Sequence, residues 1–256
     1  MSFWMTRYNN VSTANAAEFG GEFLLGGTNE ALYAGDIEFI SLPYASNPTF
    51  WAIPIHTISV NGVEISAAGS NASNALAAID TATTLLGGPA SIVANLYAAI
   101  PGAQRGEGVL EGFWTFPCSQ QVELTLNFGG RAWPMSSNDF MLTSNTPGTC
   151  VGAIFETTLG DPNNSQIPQW YIGASFLKNV YSVFRYDPPA VGFAHLSSAA
   201  LKGEPVPLSA DATNARSAHS NGTSNGAESL LSNSLSVLSI WQTICICASI
   251  AGTYAV

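Results

Sequence analysis

Residues 77–89 read AAIDTATTLLGGP, and this stretch decides the fold. An apolar run leads into a single acid, Asp80, and small hydroxylated residues follow it: Thr81, Thr83 and Thr84. An apolar pair and then Gly-Gly-Pro come next. This order predicts a buried strand that carries one carboxylate into a tight turn, then a second short strand and the start of a helix. A lone Asp in a turn commonly serves as a cap or turn former, so the stretch alone leaves a structural role for Asp80 open.

The segments on either side of this stretch also have clear patterns. Before it, residues 50–55 and 58–60 predict paired strands around an Asn61-Gly62 turn, and residues 63–65 continue the hairpin. After it, Pro89 is suited to the first position of a helix that ends before Pro101. Apolar residues recur on one face of this helix, which indicates core packing: Ile92, Val93, Leu96, Tyr97 and Ile100.

The composition narrows the class of protein. Only 9% of the 256 residues are charged, against about 25% in an average soluble protein. The formal charge of −10 reflects scarce bases, because Lys and Arg together number 7. Such a chain lacks the basic footprint that neutralises phosphates, so nucleic acid is not expected as a partner. Abundant Gly, Ser, Thr, Asn and aromatic residues favour a β-rich extracellular protein.

Residues 79–86 resemble the second active-site motif of the pepsin-like aspartic peptidases, with Ala82 in place of its Gly. Further segments resemble the same family in the same order, most closely its fungal secreted members: residues 22–27, 33–36, 170–177, 181–184 and 191–194. The resemblance covers roughly residues 3–197. It implies a mostly β fold with a few short helices, in which residues 46–198 form the C-terminal lobe. Residues 1–45 would be the end of the N-terminal lobe and the strands between the lobes.

The resemblance implies an aspartic-type endopeptidase that acts on polypeptides without a cofactor. Its chemistry uses two carboxylates that share one proton and activate a water molecule. Asp80 would be one of them, Thr81 would anchor the turn to the opposite lobe, and Thr83 would bond to Asp80 or to substrate backbone. Ala82 would add strain if the turn needs a positive φ or a close backbone approach. In the segment 170–177, the strand Trp-apolar-apolar-Gly would thread past the catalytic turn.

Three departures from the family pattern bear on activity. No second Asp-Thr-Gly or Asp-Ser-Gly occurs, so we expect an N-terminally incomplete chain whose missing N-terminal lobe is its partner. Without that lobe, Phe3, Trp4 and Tyr8 would expose apolar surface. Ala174 and Arg185 stand where the family usually has acids.

Other functions stay open at this point. One alternative is a non-catalytic cell-surface or peptide-binding protein on the same fold, favoured by Ala82 and Ala174. Another is a homodimer in which two copies of Asp80 form the pair. A Ser-His-Asp hydrolase is less favoured, because no nucleophile-elbow pattern surrounds any serine.

The cysteines and sequons bear on the cellular compartment. Cys118 and Cys150 could be buried thiols or a bridge, and the resemblance implies a disulfide inside the C-terminal lobe. Cys245 and Cys247 lie in the apolar tail, and the three histidines are isolated, so no metal site is predicted. Four glycosylation sequons agree with a secretory route: Asn10, Asn71, Asn163 and Asn221.

The C-terminal region changes character. Residues 199–228 are rich in Ser, Asn, Ala and Pro, which predicts a disordered linker. Residues 229–256 carry no charge, and residues 235–256 would span about 33 Å as a helix, enough for a bilayer core. No basic residue follows, so a GPI-attachment signal is favoured over a transmembrane anchor or an ordinary tail. Residues 1–21 lack the apolar core of a secretory signal. This absence agrees with an N-terminally incomplete chain. From the sequons, the implied disulfide and the apolar tail, we expect a secretory-pathway protein at the cell surface or outside the cell.

Overall fold

The computed structural model describes residues 1–7, 19–44, 50–69, 75–144, 146–158, 167–203 and 205. These residues form a mostly β structure with four sheets and three short helices. The four predicted glycosylation sites and residues 206–256, with the predicted membrane tail, lie outside the described residues. Within the described ranges, no helix is both long enough and apolar enough to span a bilayer.

Each sheet mixes strands from different parts of the chain, in the following order from one edge to the other. The first sheet contains β2 (Gly21–Leu24), β1 (Ser2–Met5), β17 (Val180–Arg185), β18 (Ala190–Leu196) and β3 (Tyr33–Ser41). The second contains β13 (Met141–Thr143), β14 (Thr149–Gly152), β10 (Trp114–Pro117) and β9 (Gln104–Arg105). The third contains β12 (Ala132–Met135), β11 (Leu124–Asn127), β5 (Thr57–Val60) and β6 (Val63–Ser66). The fourth contains β15 (Ile154–Thr157), β8 (Leu86–Pro89), β16 (Trp170–Ile172), β7 (Ala75–Ile79) and β4 (Ala52–Ile55).

Three helices connect these strands: α1 (Ala90–Ala98), α2 (Ser137–Phe140) and α3 (Ala174–Leu177). Helix α1 agrees with the sequence prediction except at its start, where Pro89 is the N-cap and the helix begins one residue later. Its predicted apolar face is buried. A short 3-10 turn at Ala200–Lys202 lies inside the range for which we predicted a linker, and Ala200 is buried there.

The fourth sheet places the Asp80 turn. Strands β7 and β8 are consecutive in the chain, yet they do not pair with each other. Strand β16 lies between them, parallel to β7 and antiparallel to β8. The turn that joins β7 to β8 must therefore cross the end of β16, which is the threading that the resemblance implied.

The two glycines of the motif stretch are explained by aromatic rings that pack on their backbone. A Cβ at Gly88 would lie 2.2 Å from the Trp170 ring, and one at Gly87 would lie 2.9 Å from the Phe155 ring. Trp170 is completely buried, and its Nε1 donates a hydrogen bond to Ala67 O at 2.9 Å. The buried Trp170 ring occupies the space that a side chain at residue 88 would need, so glycine is required there, whereas a side chain at residue 87 would displace the end of the Phe155 ring.

The hairpin prediction before Asp80 is wrong in one respect. Strand β4 pairs with β7 and not with β5. The Asn61-Gly62 turn instead joins β5 to β6, with φ of 52° and 80° at its two central residues. Two positive φ angles define the tight turn whose twist matches that of the flanking strands.

The expected exposure of Trp4 is also wrong. Trp4 is 2% exposed, and it packs in a small second cluster with Leu32 and Tyr181. Phe3 points to the opposite face of β1, is half-buried and contacts the Phe23 ring at 4.9 Å between centroids. Successive side chains of a strand face opposite sides, so one face of β1 is covered within the described chain. Tyr8 lies outside the described residues.

Candidate active site

Strand β7 delivers Asp80 to the turn. All five residues of β7 are buried, and the strand pairs with β4 on one side and β16 on the other. The Asp80 N–H continues this pairing by donating to Ile172 O at 3.0 Å. The backbone of Asp80 is therefore held by the sheet, while its half-buried side chain lies in the turn beyond the end of β7.

The carboxylate of Asp80 is oriented by its own turn. Ala82 N donates to Oδ1 at 2.9 Å, and the Thr83 hydroxyl donates to Oδ2 at 2.6 Å. Each oxygen thus accepts one hydrogen bond from within three residues of sequence. Hydrogen bonds to a carboxylate are stronger than neutral ones, so this pair holds the group in one orientation. The predicted bond between Thr83 and Asp80 is present.

Ala82 does not strain the turn through its backbone. Among the described residues, the one non-glycine position with positive φ is Asn61, so Ala82 lies in the range open to any L residue. Its side chain is exposed. The methyl group that replaces the family's glycine hydrogen therefore faces outward, and the strain that a positive φ would have imposed on Ala82 is not found.

Gly173 is the point of closest approach between the threaded strand and the turn. A Cβ at this position would lie 2.2 Å from Thr83 O and 2.4 Å from Leu85 O. Just beyond it, Ala174 N donates to Thr83 O at 2.8 Å. Ser175 donates to Thr84 O twice, from its N–H at 2.9 Å and from its hydroxyl at 3.0 Å. The first turn of α3 therefore fixes the Asp80 turn through the carbonyl oxygens of Thr83 and Thr84.

The other predicted residues have simpler surroundings. Thr81 is half-buried at the start of the turn, and its predicted role as an anchor to an opposite lobe stays a prediction. Ala174 acts through its backbone N–H, which the acid usual in the family would also provide. Arg185 lies with its guanidinium carbon 4.1 Å from the centroid of the Phe39 ring, and its Nε donates to Pro188 O.

A disulfide joins Cys118 to Cys150, with a Cα–Cα distance of 5.0 Å. Cys118 follows β10, and Cys150 lies in β14, which pairs with β10. The predicted disulfide between Cys118 and Cys150 is thus present. Among the described residues, no group of three or more His, Cys, Asp or Glu side chains is placed to hold a metal ion.

An open groove of about 600 Å³ lies between the start of α1, residues 105–113 and residues 156–158. Asp80 does not line it. Two of its four charged lining residues are paired with each other: Glu156 accepts from Arg105 at 2.8 Å, and it also accepts from Trp114 Nε1 at 3.0 Å. The groove is therefore separate from the candidate catalytic turn.

Burial raises the pKa of two tyrosine side chains elsewhere among the described residues. Desolvation raises the pKa of Tyr97, and its hydrogen bond to Ile154 O at 2.7 Å partly opposes the effect. Desolvation also raises the pKa of Tyr181, against hydrogen bonds that involve Ser2 and Asn29. Both phenols are kept neutral and serve as hydrogen-bonding links in the core.

Some residues near the turn carried no signal in the sequence. Arg7 donates through Nε to Asp139 Oδ1 at 2.9 Å, although the two lie 132 residues apart. Asn179 accepts from Arg7 and lies two residues after the end of α3. A single Arg, Asp or Asn in a sequence does not reveal such partners, and only the fold brings them together.

Comparison with known proteins agrees with this geometry. The family model described as eukaryotic aspartyl protease matches residues 6–196. The chain is 39% identical over 202 residues to Major aspartyl peptidase 1 of Cryptococcus neoformans var. grubii, covering 77% of this chain and 40% of that protein. It is 36% identical over 190 residues to an aspartic protease of Phaffia rhodozyma, covering 72% and 43%. Human cathepsin D is 28% identical over 184 residues, covering 70% and 41%.

The chain thus spans about two fifths of the length of these curated relatives. The family match includes the Asp80 turn, the threaded strand before Gly173 and the disulfide. The mostly β architecture and the match over most of the chain lead to one conclusion. The chain belongs to the pepsin-like eukaryotic aspartyl protease family.

Proposed function

We propose that this chain carries the C-terminal lobe of an aspartic endopeptidase and that Asp80 is one of its two catalytic carboxylates. The observation that supports this most directly is the orientation of Asp80 by Ala82 N and the Thr83 hydroxyl. A carboxylate held in one position beyond the end of a strand is suited to general acid–base catalysis. The absence of a positive φ at Ala82 also supports the proposal, because one source of strain at this position is missing.

The reaction divides two proton transfers between two carboxylates. One carboxyl group keeps its proton and donates it to the oxygen of the scissile carbonyl, while the other takes a proton from the attacking water. Two carboxylates a few ångströms apart cannot both ionise easily, so they share one proton. A single Asp80 cannot perform both transfers. We propose that an N-terminal lobe supplies the second carboxylate, as the family resemblance implies.

The proposal extends to substrate and location. Polypeptides are the substrate class of such a peptidase. The Cys118–Cys150 disulfide supports an oxidising compartment, and hence the secretory pathway. Attachment to a membrane, through a GPI lipid or a span, rests on the sequence of residues 229–256 alone.

The test is cleavage by the complete gene product that contains residues 1–256. We expect endopeptidase activity on denatured globin at acid pH, blocked by a statine-type inhibitor. Asp80→Asn should lower kcat/KM by about a hundredfold to ten-thousandfold, because it removes a general acid–base group. Asp36→Asn is the matched control, since Asp36 is an exposed acid on β3.

A second pair of variants tests the orientation of the carboxylate. Thr83→Val deletes the hydroxyl that donates to Asp80 Oδ2 and should lower kcat about ten- to hundredfold, the worth of a hydrogen bond to a charged group. Thr84→Val is its control, because Thr84 contributes its backbone carbonyl to the turn. Full activity of Asp80→Asn would refute the assignment. A complete protein that binds the inhibitor but cleaves nothing would favour the peptide-binding alternative.

A further inference from the structure

A partly buried ion pair lies behind the candidate active site and has no role in the proposed chemistry. Arg7 follows β1, and Asp139 lies in α2. Arg7 Nε donates to both oxygens of Asp139, at 2.9 Å and 3.0 Å, and Nη2 adds a third contact to Oδ2. The side chain of Asp139 is 6% exposed and that of Arg7 is 34% exposed. This fork-to-carboxylate geometry fixes both position and angle, which a single point charge would not do.

Asn179 connects this ion pair to α3. Its Oδ1 accepts from Arg7 Nη2 at 3.0 Å and from Ser136 N at 2.9 Å. Its Nδ2 donates to Ser175 O at 2.8 Å and to Phe176 O at 3.2 Å. The amide thus uses two acceptor and two donor positions, which is its full capacity. It joins residue 7, the N-cap of α2 and the last carbonyls of α3.

The opposite end of α3 holds the Asp80 turn. Ala174 N and Ser175 N donate to Thr83 O and Thr84 O, and Thr83 in turn donates to Asp80. Helix α3 has four residues and is therefore about 6 Å long. Ser175 takes part in both sets of contacts, because its N–H donates to Thr84 O and its carbonyl accepts from Asn179 Nδ2. A displacement at Asn179 is therefore passed to the carbonyls of the turn.

We propose that Arg7, Asp139 and Asn179 are positioning residues that set α3, and through it the orientation of the Asp80 carboxylate. The proposal rests on the proposed catalytic role of Asp80. Arg7 lies two residues after β1 of the first sheet, so the same contacts also tie the position of that sheet to the catalytic turn. A partly buried ion pair of this kind contributes little net stability, because desolvation offsets most of the Coulombic gain. Its main effect is then geometric.

The test measures the turn directly and requires no catalysis. Amide hydrogen exchange by NMR on the full chain reports the bonds from Ala174 N and Ser175 N to the turn. Arg7→Met removes all contacts to Asp139 and Asn179, and exchange at these two amides should become about tenfold faster, equal to about 1.4 kcal/mol of local opening. Arg7→Lys keeps the charge but not the fork, so it should restore part of the protection. The Ala82 amide resonance, which senses Asp80 Oδ1, should shift in Arg7→Met and return toward its original position in Arg7→Lys.

Arg105→Met is the matched control, since Arg105 forms the other ion pair of the described chain, with Glu156, and has no bond to α3. It should leave these amides and the Ala82 resonance unchanged. Unchanged exchange at Ala174 and Ser175 in Arg7→Met would overturn the proposal. An equal acceleration at all buried amides would overturn it too, because the pair would then serve global stability. If Arg7→Met does not fold, the same amides are measured in Arg7→Lys and in the control Arg105→Lys. Faster exchange at Ala174 and Ser175 in Arg7→Lys alone would support the proposal, and equal exchange in the two variants would overturn it. Amide exchange does not depend on catalysis. If Asp80→Asn showed that Asp80 is not catalytic, the exchange results would still decide whether Arg7 positions the turn, so failure of either proposal can be recognised separately.

Discussion

Gly173→Ala tests the close approach of the threaded strand to the Asp80 turn. The backbone of Gly173 has φ of −102°, a value that alanine adopts freely, so conformational preference is not the obstacle. The obstacle is space, because the new Cβ would lie 2.2 Å from Thr83 O and 2.4 Å from Leu85 O. Normal contacts need at least about 3 Å, so backbone on one side must move by nearly 1 Å.

The size of the effect follows from two opposing terms. Overpacking against atoms that cannot rotate away costs typically about 1–3 kcal/mol, and two backbone oxygens place this site at the upper end. The reduced entropy of the unfolded chain returns about 0.4–1 kcal/mol. The net loss is about 2 kcal/mol or more. For a domain of about 200 residues this lowers the unfolding midpoint by about 4–8 °C.

Thermal unfolding followed by circular dichroism, with the disulfide intact, measures this loss. Gly27→Ala is the matched control, because its nearest neighbour is a Leu24 methyl at 3.8 Å and its φ is not positive. We expect a change within about 0.5 kcal/mol there. In the active protein, Gly173→Ala should also lower kcat, because the turn that orients Asp80 has moved. An unfolding midpoint equal to that of the unmodified protein would refute the reasoning.

Two further predictions concern the core of the lobe. Burial raises the pKa of Tyr97, so the unfolded state loses its phenolic proton first, and stability should fall as pH rises above about 10. Tyr97→Phe should reduce this loss of stability at alkaline pH. At neutral pH the same change should destabilise the protein by about 2 kcal/mol, because Ile154 N and O lose their hydrogen-bond partner. Chemical unfolding between pH 7 and 11 measures both effects. Replacing Cys118 and Cys150 by Ser should cost about 4 kcal/mol, the chain-entropy value for a loop of this length; a urea midpoint unchanged in the double variant would contradict it.

The sequence predicted the parts of this protein that depend on local pattern. The apolar run before Asp80 indicated a buried strand, and the periodic apolar face after Pro89 indicated α1. The bonds from Ala82 N and the Thr83 hydroxyl to Asp80 span two and three residues. Interactions of this range are limited by few backbone torsions, so residue order alone largely determines them.

Strand partners were harder to predict. The prediction of strands at residues 50–55 and 58–60 was correct, but β4 pairs with β7, and β5 pairs with β6 and β11. Pattern reveals which residues can form a strand, whereas the partner depends on which edges remain free once the other strands have packed. The burial of Trp4 was missed for the same reason, because its cover comes from Leu32 and Tyr181, both remote in sequence.

The environment of Asp80 therefore has two origins. The order Asp-Thr-Ala-Thr by itself determined that a carboxylate enters a turn among hydroxyl groups, and the family resemblance added the bond from Thr83. Only the tertiary structure decided what stands behind that turn: Gly173 in contact with it, α3 bonded to its carbonyls, and Arg7 paired with Asp139 across 132 residues. The physical reason is that a hydrogen bond between neighbours in the chain needs little ordering, whereas one between distant residues forms only after the core has fixed both partners in place.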